Sequence, residues 1–132
     1  MKKAVRVFTI GRDVLFHDVM SYTMSEVNNA LYIKDSNHRC HKALFNKELV
    51  FGVVEEERHI PNGASYAFSG YKVFKSPTFS DESDNLYYVF IEACTYEYDV
   101  TKKEIIFYDD KDFRSRVGIF NMNNVLYVER VD

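Results

Sequence analysis

Apolar and polar residues alternate with a period of two along several stretches of this chain, the spacing of a strand with one face buried. Ala4 to Ile10 sets Val5, Val7 and Thr9 against Arg6, Phe8 and Ile10 and stops at Gly11, so it reads as a strand. Leu49 to Val54 reads as a short buried strand and Tyr66 to Lys75 as another. The last third is plainer still: Leu86 to Val100, Glu104 to Tyr108, Arg116 to Phe120 and Val125 to Val131 read as four consecutive strands of an antiparallel meander. A tight corner at Thr101-Lys102-Lys103 sets Tyr96 and Tyr98 beside Phe107 and Ile105 on one face. A turn at Asn121 to Asn124 puts Val117, Ile119, Leu126 and Val128 on a core face, and Arg116, Phe120, Tyr127 and Glu129 on the other.

Two stretches break this pattern. In Val14 to Ile33, Met20, Met24, Val27 and Leu31 fall at helical spacing, and Thr23 with Glu26 matches a capping box, yet Met20 to Ser25 also alternates as a strand. A second feature favours strands: Val27-Asn28-Asn29-Ala30-Leu31-Tyr32-Ile33 is echoed by Met122-Asn123-Asn124-Val125-Leu126-Tyr127-Val128, whose second copy reads as turn then strand. Seven residues are too few to establish a duplicated domain. Ser36 to Glu48 reads as a helix capped by Ser36 or Asn37, with Cys40, Leu44 and Phe45 on one side. Pro61-Asn62-Gly63 marks a turn, and Ser76 to Asn85 a polar, acidic loop. The expected fold is mainly antiparallel β within the α+β class: one domain over 1–132, a C-terminal four-strand meander, and one or two short helices packed on the sheet.

Composition narrows the classes of function. The chain has 132 residues, 46% apolar and 28% charged, within the range of proteins that fold on one core. A net charge of -3 leaves no surplus of Lys and Arg for bulk attraction to nucleic acid or anionic membrane. Lys2-Lys3 precedes no apolar h-region, and no stretch reaches the roughly 18 apolar residues of a membrane span, so a cytoplasmic protein is expected. Cys40 and Cys94 are read as reduced thiols. Abundant Phe, Tyr, Asn, Lys and Ile fit AT-rich coding DNA, pointing to a phage, mobile element or low-GC bacterium.

Candidate chemistry is sparse. His38, Cys40 and His41, with His59 or His17, carry metal-ligand atoms, but their spacing fits no standard zinc pattern, and no metal or cofactor is expected. Glu55, Glu56, Glu57, Arg58 and His59 bring a carboxylate, a cation and an imidazole together, the types that general acid-base cleavage of RNA needs. Consecutive strand residues point to opposite faces, however, so only alternate members of that run can converge, and a solvated charge run is the plainer account. There is no G-x-S-x-G elbow and no glycine-rich phosphate cradle.

Ten tyrosines and eleven phenylalanines with no tryptophan favour binding over catalysis, because a ring with a wet tip suits an interface. The leading expectation is a non-enzymatic binding or inhibitor protein that engages a protein partner or sequesters an anionic, nucleotide-like small molecule. Arg114, Arg116, Phe120 and Tyr127 are the expected contact residues, since arginine offers a planar fork and the rings can stack. Two alternatives stand beside it: a small ribonuclease-like hydrolase using His59 with Glu57 or Arg58, and a structural subunit of a symmetric homo-oligomer built through strand edges.

Overall fold

The period-two pattern is realised as antiparallel strands throughout the computed structural model, which describes residues 3–35, 41–58, 68–79 and 87–131. The strands are β1 (Lys3–Thr9), β2 (Arg12–Ser25), β3 (Ala30–Asp35), β4 (His41–Asn46), β5 (Val50–Glu56), β6 (Ser69–Lys75), β7 (Tyr88–Ala93), β8 (Thr95–Asp99), β9 (Glu104–Tyr108), β10 (Arg116–Asn121) and β11 (Val125–Val131). They form an eight-stranded sheet in the order β4-β3-β2-β1-β5-β10-β9-β8 and a three-stranded sheet in the order β11-β6-β7. No helix among the described residues is long and apolar enough to cross a membrane.

The two halves of the chain repeat one plan. In the first, β1 to β4 form a meander and β5 returns to pair with β1. In the second, β6 takes the place of β1, β7 and β8 together take that of β2, and β9, β10 and β11 follow as β3, β4 and β5. Tyr22↔Ile33 and Met24↔Leu31 in the first half become Tyr96↔Phe107 and Tyr98↔Ile105 in the second, each partner 74 residues further on. Leu31↔Phe45 becomes Ile105↔Phe120, and Val7↔Val53 becomes Val73↔Val128. Even the bulges coincide, since the register slip between Phe8 and Thr9 recurs between Val125 and Tyr127 on the matching strand pair.

The connections repeat as closely. In the β2–β3 turn the Ser25 hydroxyl accepts from the Asn28 N–H at 3.1 Å and Asn29 sits at φ 52°; in the β8–β9 turn the Asp99 carboxylate accepts from the Lys102 N–H at 3.1 Å and Lys103 sits at φ 55°. Such side-chain caps are why short polar residues hold tight turns. A three-residue 3-10 turn joins β4 to β5 and another joins β10 to β11. In each, an asparagine side chain accepts the N–H two residues on, Asn46 from Glu48 and Asn121 from Asn123. The Lys47 N–H donates to the Asn29 carbonyl at 3.0 Å and the Met122 N–H to the Lys103 carbonyl at 2.9 Å.

Each half has its own core, and the two are stitched by β5 and β10. Val5, Val7, Val19, Leu31 and Ile33 bury in the first core with Val50, Val53 and Ile119, while Tyr71, Val73, Ile91, Ile105 and Phe107 bury in the second with Phe51, Val54, Val117 and Phe120. A strand buried on both faces loses alternation and reads as a continuous apolar run, as Val50 to Val54 does. The sheet also curls: Arg116 on β10 donates to the Tyr22 carbonyl on β2, three strands away in the hydrogen-bonded order.

Several expectations are corrected. The helix over Ser36 to Glu48 does not form, because 41–46 is β4 and 47–49 a 3-10 turn; its cap residues and Cys40 lie outside the described residues. β4 is an edge strand with much of its surface in water, so its alternation is too weak to outweigh the accidental helical spacing of Cys40, Leu44 and Phe45. The fold is therefore antiparallel β, and the short helices of an α+β arrangement are absent among the described residues. Leu86 to Val100 breaks at Cys94 into strands of different sheets, and β11 pairs with β6 rather than with β10, so the meander has three strands. The expected faces fail with it: Phe120 is core, and Leu126 is exposed. Val14 to Ile33 is the hairpin of β2 and β3, and Thr23 caps nothing. The seven-residue echo matches the β2–β3 turn with a 3-10 turn, so the repeat is real but its true equivalences lie elsewhere. The turn at Pro61-Asn62-Gly63 lies outside the described residues.

Candidate functional site

The four residues expected to contact a partner do not come together. Arg114 is exposed beyond β9, where the Asp110 carboxylate accepts its backbone N–H at 3.0 Å and that of Ser115 at 3.0 Å. Those bonds hold the Asp110 carboxyl below the usual carboxylate range. Arg116 is committed to the fold, its guanidinium 4.4 Å from the centre of the Tyr22 ring and bonded to the Tyr22 carbonyl. Phe120 is fully buried and can touch no partner. Tyr127 is exposed on β11, its ring stacked on Phe74 at 4.5 Å.

The charge run that suggested acid-base chemistry is likewise used internally. Glu55 accepts from the Tyr22 hydroxyl at 2.8 Å and from Lys3 at 3.1 Å, and Glu56 pairs with Arg6 at 2.5 Å. Burial, followed by the charge on Glu55, pushes the Tyr22 hydroxyl well above the usual tyrosine value. Arg58 pairs with Asp109 and donates to the Glu92 carbonyl, tying the exit of β5 to the second half; burial outweighs this partner and raises the Asp109 carboxyl. His59 lies outside the described residues. The strands do leave a cleft of about 290 Å³ lined by Glu55, Glu56, Glu57, Arg58, Phe90 and Glu92. Four carboxylates against one paired guanidinium make it hostile to an anion. Of the metal candidates, His38 and Cys40 also lie outside the described residues, and no cluster of three ligand side chains occurs among those described.

What the geometry does present is sheet edges: β4 and β8 end the larger sheet and β11 and β7 the smaller, and β4 and β11 are the edges that lie on either side of the 3-10 turns. Among the described residues nothing pairs with the outer edge of β4 or of β11. An unpaired edge offers a row of N–H and C=O groups to another chain, and natural proteins usually blunt it with charge, proline or bulges. Beside the charged Lys42 on β4 and Glu129 and Arg130 on β11, these edges carry exposed apolar residues, Leu44 on β4 and Leu126, Tyr127 and Val131 on β11. The sequence did not reveal them, because alternation sets Leu126 on a core face and helical spacing sets Leu44 on the apolar side of a helix. No protein family, curated protein or solved structure matches this chain.

Proposed function

We propose that this chain is a non-enzymatic protein-binding module that acts by pairing its open strand edges with another polypeptide. The observation that carries this reading is the exposure of Leu44 and Leu126 on strands with nothing paired to their outer edges among the described residues. Strand addition derives affinity from main-chain hydrogen bonds and specificity from alternate side chains, and leucine on an edge strand adds apolar area that water disfavours. The anion-sequestering reading loses support, since Arg116 is already bonded to Tyr22 and the cleft is acidic. The hydrolase reading loses its free cation, since Arg58 is paired with Asp109.

Native mass spectrometry of the chain recovered gently from expressing cells tests the proposal. A complex heavier than the 15.5 kDa chain is expected, lost on Leu44→Lys or Leu126→Lys. A bare chain in every sample sinks the reading.

A further inference from the structure

The partner at both edges can be read from a joint the molecule already contains. β5 of the first half pairs with β10 of the second, with Val54↔Gly118, Val53↔Ile119 and Gly52↔Phe120 in register. In the repeated plan β5 corresponds to β11 and β10 to β4, so the two edges that pair inside the chain are the counterparts of two edges to which nothing among the described residues pairs. We infer that copies of this chain join head to tail, β4 of one pairing with β11 of the next as β10 pairs with β5, with Leu44 opposite Val128 and Phe45 opposite Tyr127. The inference rests on the protein-binding reading above.

Three observations support it beyond topology. First, side chains that the internal joint buries have exposed counterparts at the open ends. Ile119 is 1% exposed and its counterpart Leu44 65%; Phe51 is 0% and Leu126 53%; Tyr22 is 1% and Tyr96 42%. These are apolar or aromatic in both places, as expected of surfaces awaiting the same cover.

Second, the polar latch of the joint is present at the open end. Asn121 donates its side-chain N–H to the carbonyls of Lys47 at 3.0 Å and Val50 at 3.5 Å, while its oxygen caps the 3-10 turn. Asn46 uses its oxygen identically, and its Nδ2 donates to no described residue. In the inferred joint it meets the carbonyls of Met122 and Val125, the counterparts of Lys47 and Val50.

Third, the charges have changed together. At the internal joint the buried Lys47 meets the exposed Glu26 of its own half at 2.6 Å and, across the seam, the buried Glu104 at 3.4 Å. Their counterparts are Met122, Val100 and Ala30, so across the inferred joint an ionic cluster is replaced by an apolar one with no charge left alone. Replacing all members of a buried ionic cluster by apolar residues preserves complementarity, whereas replacing one destroys it. Elsewhere the open ends depart from the joint, with Glu129 in place of Val54, His41 in place of Arg116 and Tyr127 in place of Gly52; there the Phe45 ring, packed on Phe16 at 5.8 Å, must lie beside the Tyr127 ring, because it cannot cross over that position as Phe120 crosses over Gly52.

A head-to-tail contact uses two different surfaces and therefore chains into a ring or filament, unlike a two-fold contact. Light scattering on purified Leu44→Glu and Leu126→Glu proteins tests this, with circular dichroism to verify that each keeps its strand signal. Wild type is expected to run at several times 15.5 kDa, each variant alone as a single chain, and an equal mixture of the two as a dimer, because one intact joint remains between them. Tyr127→Glu replaces Leu126→Glu if that variant loses its strand signal. A wild type that is a single chain when pure, yet is held in a Leu44-dependent complex in cells, overturns self-pairing and leaves the binding reading standing. Variants that still dimerise alone overturn the head-to-tail geometry.

Discussion

The ring of Phe120 occupies the space that a side chain on Gly52 would need: a Cβ built there would lie 2.4 Å from Phe120 Cδ2. The two residues face each other across the seam between the halves, and the Phe120 ring meets Phe51 at 5.3 Å and Phe107 at 5.6 Å. The ring is fixed on both sides, so it cannot move aside cheaply. Gly52→Ala is expected to lower stability by about 1–3 kcal/mol through overpacking, read as a lower denaturation midpoint at unchanged slope.

Lys47 is buried beside Glu104, whose carboxyl burial raises despite the lysine. Removing the lysine leaves a buried carboxylate with no cation, at a cost of about 3–5 kcal/mol near neutral pH. Because the folded-state value is raised, the native state binds the proton more tightly than the unfolded chain. Stability from this group thus falls as pH rises through the carboxylate range and returns as pH drops. Lys47→Met should therefore be most destabilised at neutral pH and partly recover in mild acid, and adding Glu104→Ala should restore most of the loss. Urea titrations of the single and double variants at several pH values measure this.

Arg114 and Arg116, two residues apart, should respond differently. Arg116 stacks on Tyr22 and bonds to its carbonyl, so Arg116→Ala is expected to cost about 1–3 kcal/mol from a charged hydrogen bond and a cation–π contact. The exposed Arg114 side chain should change stability by less than about 0.5 kcal/mol when truncated. Thermal melts of the two variants make the comparison; equal shifts would mean that the Tyr22 contact contributes nothing.

Although the fold repeats, the halves are expected to unfold together. β5 and β10 each place side chains in both cores, so neither half keeps its own core once the seam opens. Fluorescence, circular dichroism and calorimetry should give one coincident transition, and two separable transitions would show the halves to be independent.

What could be read from the sequence was what local pattern controls. β1, β9, and the Tyr96 and Tyr98 pairing with Phe107 and Ile105 follow from alternation and a short turn, because neighbouring strands joined by a tight turn leave one register in which the apolar residues share a face. Partner strands far apart in sequence are another matter. β11 follows β10 directly but pairs with β6, because the 3-10 turn at Met122–Asn124 redirects the chain to the other sheet. Alternation is the same whichever neighbour a strand chooses. For that reason Phe120 read as a surface ring and Leu126 as a core residue, when burial is set by what packs above each face. Local pattern alone dictates that most of the chain runs as antiparallel strands joined by short turns; the caps by Ser25, Asp99, Asn46 and Asn121 are visible only in the structure. That two halves with few identical residues share one plan emerges only from the three-dimensional pairing, since strand register and hydrogen-bonded caps are kept by geometry while the side chains on them are free to differ.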